Sequence, residues 1–194
     1  KAIADGVLTY DEMLALIKSL PSGGVTATEL SDLQSVYSNA KSMFVSSYLK
    51  EISYSLIYGN QANGFWWGGS KSYSGVVFLG DLTGQTSELG VNRLIGKWFL
   101  GTDLPMPVAG GDTAIGKAAI KTFNYATASA ALFVNGVAAS DINQGSMGDC
   151  YLVAALGAIA HAKPTLISDM FISNSNGTYG VRYFGNGGDY FTTV

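Results

Sequence analysis

Apolar positions in the first third of the chain recur at helical spacing. Thr9 and Glu12 fit a capping box, in which a hydroxyl and a carboxylate each satisfy a free backbone N–H. Met13, Leu14, Leu16, Ile17 and Leu20 follow as a stripe, and Pro21-Ser22-Gly23-Gly24 ends it. Thr26 and Glu29 repeat the box. Leu30, Leu33, Val36, Tyr37, Met43, Phe44, Tyr48, Ile52, Leu56 and Ile57 then predict one helix from Ala27 to about Tyr58, or two joined near Ser46-Ser47. From Asn60 the texture changes to short β segments in glycine-rich loops, Gly64 to Gly69 and Gly75 to Gly80. Helical spacing returns over Thr86 to Leu100.

Gly101 to Asp112 holds Pro105, Pro107 and the Gly110-Gly111 pair, and it divides the pattern in two. Beyond it the sequence predicts a helix over Ala114 to about Phe123 and a strand over Ala131 to Val134. Cys150 to about Ala162 reads as a helix apolar nearly all round, which implies burial. The tail alternates through Tyr179, Val181, Tyr183, Tyr190 and Phe191 about a Gly185–Gly188 turn, a hairpin pattern. The fold class is α+β, with a helical region over 1–108 and a second module over 109–194.

Composition narrows the function. The chain has 194 residues, 11 basic and 14 acidic, a net charge of −3, and only 13% charged residues. No basic stripe is present for nucleic acid. One cysteine and one histidine close neither an internal disulfide nor a structural zinc site. The longest charge-free apolar run, Cys150 to Ala162, is about 13 residues, too short for a bilayer span. No charged n-region followed by an apolar h-region opens the chain. It begins at Lys1 and stops in the β-like run Tyr190 to Val194, and so reads as a piece of something longer.

The chemistry concentrates in Gln144-Gly145-Ser146-Met147-Gly148-Asp149-Cys150-Tyr151-Leu152. A tight loop delivers a cysteine to a helix N-terminus, where dipole and free N–H groups favour negative charge. A thiolate is the nucleophile of cysteine hydrolases, and the adjacent N–H can hold an oxyanion. Gln144, six residues upstream, offers a second donor. The plainer reading is a small buried hydrophobe, the commoner fate of an isolated cysteine.

Gln144, Gly145, Gly148, Asp149, Cys150, Tyr151, Leu152, Ala154, Ala155 and Leu156 together resemble the active-site segment of the calpain family of cysteine proteases. Phe133 to Asp141 is similar to that family's approach to the loop. The resemblance covers Leu132 to Val194, and residues 1 to about 108 are more loosely similar to the helical region preceding calpain-like modules in large bacterial proteins. It implies half of a papain-like domain, with Cys150 as nucleophile and Gln144 as oxyanion-hole donor. Tyr151 stands where the family usually has Trp. The family's His and Asn lie downstream of the last residue here, so the resemblance implies a partner segment or second chain carrying them. His161 is no substitute: 11 residues along the same helix is ~16 Å from Cys150. Autoprocessing after Val194 would leave such a two-chain protease, paired through a sheet edge.

The resemblance also implies calcium, held by backbone oxygens of Val134 and Gly136 and the side chain of Asp141. The plain alternative for Asp141 is a turn cap. At the other end, Asp5, Gly6, Leu8, Thr9 and Glu12 fall at EF-hand places, but Lys1 and Ile3 occupy the first and third, and the capping box accounts for Thr9 and Glu12. Phe65-Trp66-Trp67 reads as a plug beneath the glycine-rich loops rather than a sugar platform. Asn176-Gly177-Thr178 matches a glycosylation acceptor.

The sequence therefore points to part of a cysteine endopeptidase acting on protein or peptide substrates. A non-catalytic propeptide, docking or scaffold fragment is the alternative, and a Cys-dependent acyl transferase a third reading. Export without a cleaved signal and a cytoplasmic location fit the composition about equally.

Overall fold

The computed structural model describes residues 5–20, 23–109, 121–145, 148–185 and 187–194. Both capping boxes form. The Glu12 carboxylate accepts the Thr9 N–H at 3.0 Å and opens α1 (Tyr10–Lys18). The Glu29 carboxylate does the same for Thr26 at 2.8 Å and opens α2 (Ala27–Asn39). The long apolar run is two helices, because Ser46 caps a new one by accepting the Leu49 N–H at 3.1 Å. That helix is α3 (Ser47–Ile57). The fourth, α4 (Glu88–Ile95), continues into one π-helical turn, Gly96–Leu100, closed by Gly101 at φ +61°.

These helices bury one apolar core around Leu8, Met13, Ile17, Leu33, Ile52, Leu56, Leu94 and Phe99. Each such side chain taken fully from water contributes about 1.5–3 kcal/mol. Between α3 and α4 lies a glycine-rich region in which β1 (Phe65–Trp66) pairs antiparallel with β2 (Val77–Phe78). Asp103 ties it down. Its carboxylate accepts the backbone N–H groups of Trp67 at 2.6 Å and Gly68 at 2.8 Å and an ion pair from Lys97. The two tryptophans are half-buried, Trp66 against Gly96 and Trp67 edge-on to Tyr73. Phe65, by contrast, is exposed beside Phe78, so only part of this cluster is a plug.

Two expectations of the middle region change. Residues 114–120 of the expected helix lie outside the described residues, and Lys121–Thr122 is instead β4, paired with β3 (Val108–Ala109). No strand forms over 131–134. Asn135 at φ +61° and Gly136 at φ +89° turn the chain there, an Asn-Gly conformation incompatible with a continuing extended run.

The last third carries α5 (Cys150–Ala162), α6 (Pro164–Ser168) and a three-stranded antiparallel sheet. Its strands are β5 (Phe171–Ser173), β6 (Tyr179–Gly185) and β7 (Gly188–Thr193), in the order β5-β6-β7. The tail hairpin is thus as the alternation predicts, with Gly185 opposite Gly188. One row of the register, Ile172, Gly180 and Thr193, faces the helical core, and Phe191 joins it against Tyr48. The architecture is α+β. Among the described residues, no helix is long and apolar enough to cross a membrane.

Helix α5 forms over the predicted span but is not buried as expected. Of its residues only Ala160 is fully covered, while Tyr151 and Leu152 are 77% and 48% exposed. The reason is a shortage of neighbours. Among the described residues α5 packs chiefly on α6 and the turn at Ala139–Asp141, which cover one side of a helix apolar on most sides.

Candidate active site

Cys150 is the first residue of α5, and its side chain is exposed to solvent. Asp149 is the N-cap, whose carbonyl accepts the N–H groups of Leu152 at 2.9 Å and Val153 at 3.1 Å. Its side chain makes no capping bond, and its Oδ1 is buried without a hydrogen-bond partner among the described residues. The thiol therefore stands at the positive end of a 13-residue helix, where the first N–H groups have no intrahelical acceptor.

The loop leading in is built from the 3₁₀ turn Ala139–Asp141. Asp141 accepts the Ala138 N–H through Oδ2 at 2.9 Å, so the turn-capping role is real. Ile142 then faces Gly157 of α5, and Gln144 follows, exposed, on the path toward Cys150. Ser146 and Met147 of the motif lie outside the described residues. Chain order and packing thus put Gln144 and Cys150 on one loop-and-helix unit, both open to solvent.

Val134 is exposed and precedes the left-handed pair Asn135-Gly136. The ring of Phe133 packs edge-on against Phe171 at 5.5 Å, which fixes this turn beside the sheet. Val134, Gly136 and Asp141 offer oxygen donors of the hard type that calcium prefers, and one carboxylate oxygen of Asp141 is already engaged by Ala138. No group of three or more His, Cys, Asp or Glu side chains is gathered among the described residues.

His161 sits in the last turn of α5, exposed and far from the thiol along the helix axis. The acceptor pattern at Asn176 is also occupied structurally. Asn176 donates to the Tyr10 hydroxyl at 3.3 Å and accepts the Thr178 N–H at 3.1 Å, serving the fold. Two features of the site escape sequence reading. The buried Asp149 oxygen has no local signature in the sequence, whereas the Asn135 turn has a signal in its Asn-Gly dipeptide.

A model of the calpain family cysteine proteases matches residues 121–190. No curated protein and no solved structure matches the chain. The matched span holds Gln144, Asp149, Cys150 and Asp141 together, so this segment is similar to a cysteine peptidase, a hydrolase whose substrates are proteins.

Proposed function

We propose that this chain carries the nucleophile-bearing half of a calpain-like cysteine endopeptidase. The observation that supports it most is the exposed Cys150 at the first position of α5, inside the span similar to the protease family. The Cys150 sulfur, as thiolate, attacks the carbonyl carbon of the scissile peptide bond, and the carbonyl oxygen takes up the negative charge. The Cys150 N–H and the Gln144 side-chain amide donate to that oxyanion. Collapse expels the amine, which takes a proton from the general acid, and leaves an acyl-thioester on Cys150. Water then attacks the thioester carbonyl, releasing the acid and regenerating the thiol. The acid–base histidine and its orienting asparagine come from a segment outside this chain, docked beside α5. The exposed apolar side chains of α5, Tyr151 and Leu152 first, are where such a segment gains contact.

Calcium enters the same reading through Val134, Gly136 and Asp141. Their oxygens would hold the ion next to the loop bearing Gln144, and the ion would fix that loop's shape. Its contribution is positional.

The test is native mass spectrometry of the purified protein after brief exposure to a thiol-directed epoxide, with and without calcium. One label on Cys150, on a species heavier than the 20.3 kDa chain because a second polypeptide is bound, is the expected result for an assembled protease. A bare, unlabelled chain would leave the scaffold role in its place.

A further inference from the structure

The sheet that follows α6 is assembled on the helical region, and the contact is polar at its centre. Tyr48, 1% exposed on α3, brings its hydroxyl to Thr193 Oγ1 at 2.7 Å and accepts from Asn174 Nδ2 at 3.1 Å. Thr193 also donates to the Trp98 carbonyl, and the Tyr10 hydroxyl donates to that of Phe99. Both carbonyls belong to the last turn of the helix, the π-helical Gly96–Leu100, where carbonyls have no helix amide to accept from and are met here by hydroxyls. Two glycines make the approach possible. A Cβ on Gly180 would lie 2.6 Å from the Tyr48 ring, and one on Gly101 would lie 2.7 Å from the backbone of Val194.

We propose that residues 5–108 are a permanent platform for the sheet at 171–194, so that cutting the chain between them would not release the helical region. The boundary near 108 is then one of composition and not of folding. Buried hydroxyls paired across such a contact are costly to strand, which makes separation of the two parts unfavourable. The platform reaches the cysteine segment through the sheet: Phe171, on the face opposite Gly180, holds Phe133 ahead of the cysteine loop. Any influence of the helical region on Cys150 is exerted while bound. This inference stands on packing alone and does not depend on the protease reading.

The test uses the full chain with a site-specific protease sequence placed within 110–120. After complete cutting, native size-exclusion chromatography is expected to return both pieces in one peak. Elution as two separate species, or precipitation of one piece alone, overturns the proposal. In the cut protein, Thr193→Val should weaken association of the pieces about tenfold, and Gly180→Leu should separate them. Tyr183→Ala, an exposed position on the opposite face, should leave association unchanged. Equal effects of Thr193→Val and Tyr183→Ala would also overturn it.

Discussion

The Tyr48 hydroxyl meets the Thr193 hydroxyl at 2.7 Å across 145 residues of sequence. Both groups are buried, and Asn174 completes the set. Removing the phenolic oxygen therefore takes one hydrogen bond from each of two partners at once, leaving Thr193 its bond to the Trp98 carbonyl and Asn174 its bond to Thr178.

Tyr48→Phe should cost about 1–3 kcal/mol, because buried donors and acceptors lose their match while the ring contacts stay. Urea unfolding followed by tryptophan fluorescence reads this directly. An unchanged midpoint would mean that the hydroxyl is not part of the folded core.

Alkaline pH acts on the same core. Burial, reinforced by Glu51 and the neighbouring Tyr58 and Tyr54, pushes the Tyr37 hydroxyl up to about 12, and burial also raises Tyr10 and Tyr48. Above pH 10 the unfolded chain loses these protons first, so it binds fewer than the folded chain, and stability falls with pH. The tyrosine contribution is fully present below pH 10 and is lost from there through about 12. Thermal midpoints measured across that range should fall, and Tyr37→Phe should flatten the slope.

Asp103 offers a separate lever. It is 4% exposed and serves Lys97 and two backbone amides of the glycine-rich region. Asp103→Ala should destabilise by about 3–5 kcal/mol, since it leaves a half-buried ammonium unpaired. Adding Lys97→Met should recover part of that loss in calorimetry. No recovery would assign the whole effect to the amides.

On α5 the prediction runs the other way. Leu152 is 48% exposed, so Leu152→Glu should change the stability of this chain by no more than about 0.5 kcal/mol. Under the proposed two-segment assembly it should nonetheless lower epoxide labelling of Cys150, because a charge would then stand on the proposed docking face of α5. A large loss of stability in the isolated chain would place Leu152 in a core instead.

The parts legible in the sequence are those set by local chemistry. The Thr9/Glu12 and Thr26/Glu29 boxes, the Cys150–Ala162 helix and the tail hairpin each rest on residues within one turn or one strand pair. The cysteine motif was legible for the same reason. What failed needed long-range knowledge. The apolar pattern of α5 correctly gave a helix but could not state whether anything among the described residues covers it. The strand expected at 131–134 had the right apolar content, and the Asn135-Gly136 turn overrode it. The docking of Thr193 on Tyr48 left no trace in any window, because nothing local marks which hydroxyl a buried tyrosine will meet.

The thinly covered helix also shapes how this chain denatures. Denaturant sensitivity and the heat capacity of unfolding both scale with the apolar surface newly exposed, and α5 already shows part of its apolar surface to water, Tyr151 and Leu152 above all. The chain should unfold with a shallower urea slope and a smaller heat-capacity increment than its length alone implies. Covering α5 with a second polypeptide would restore both.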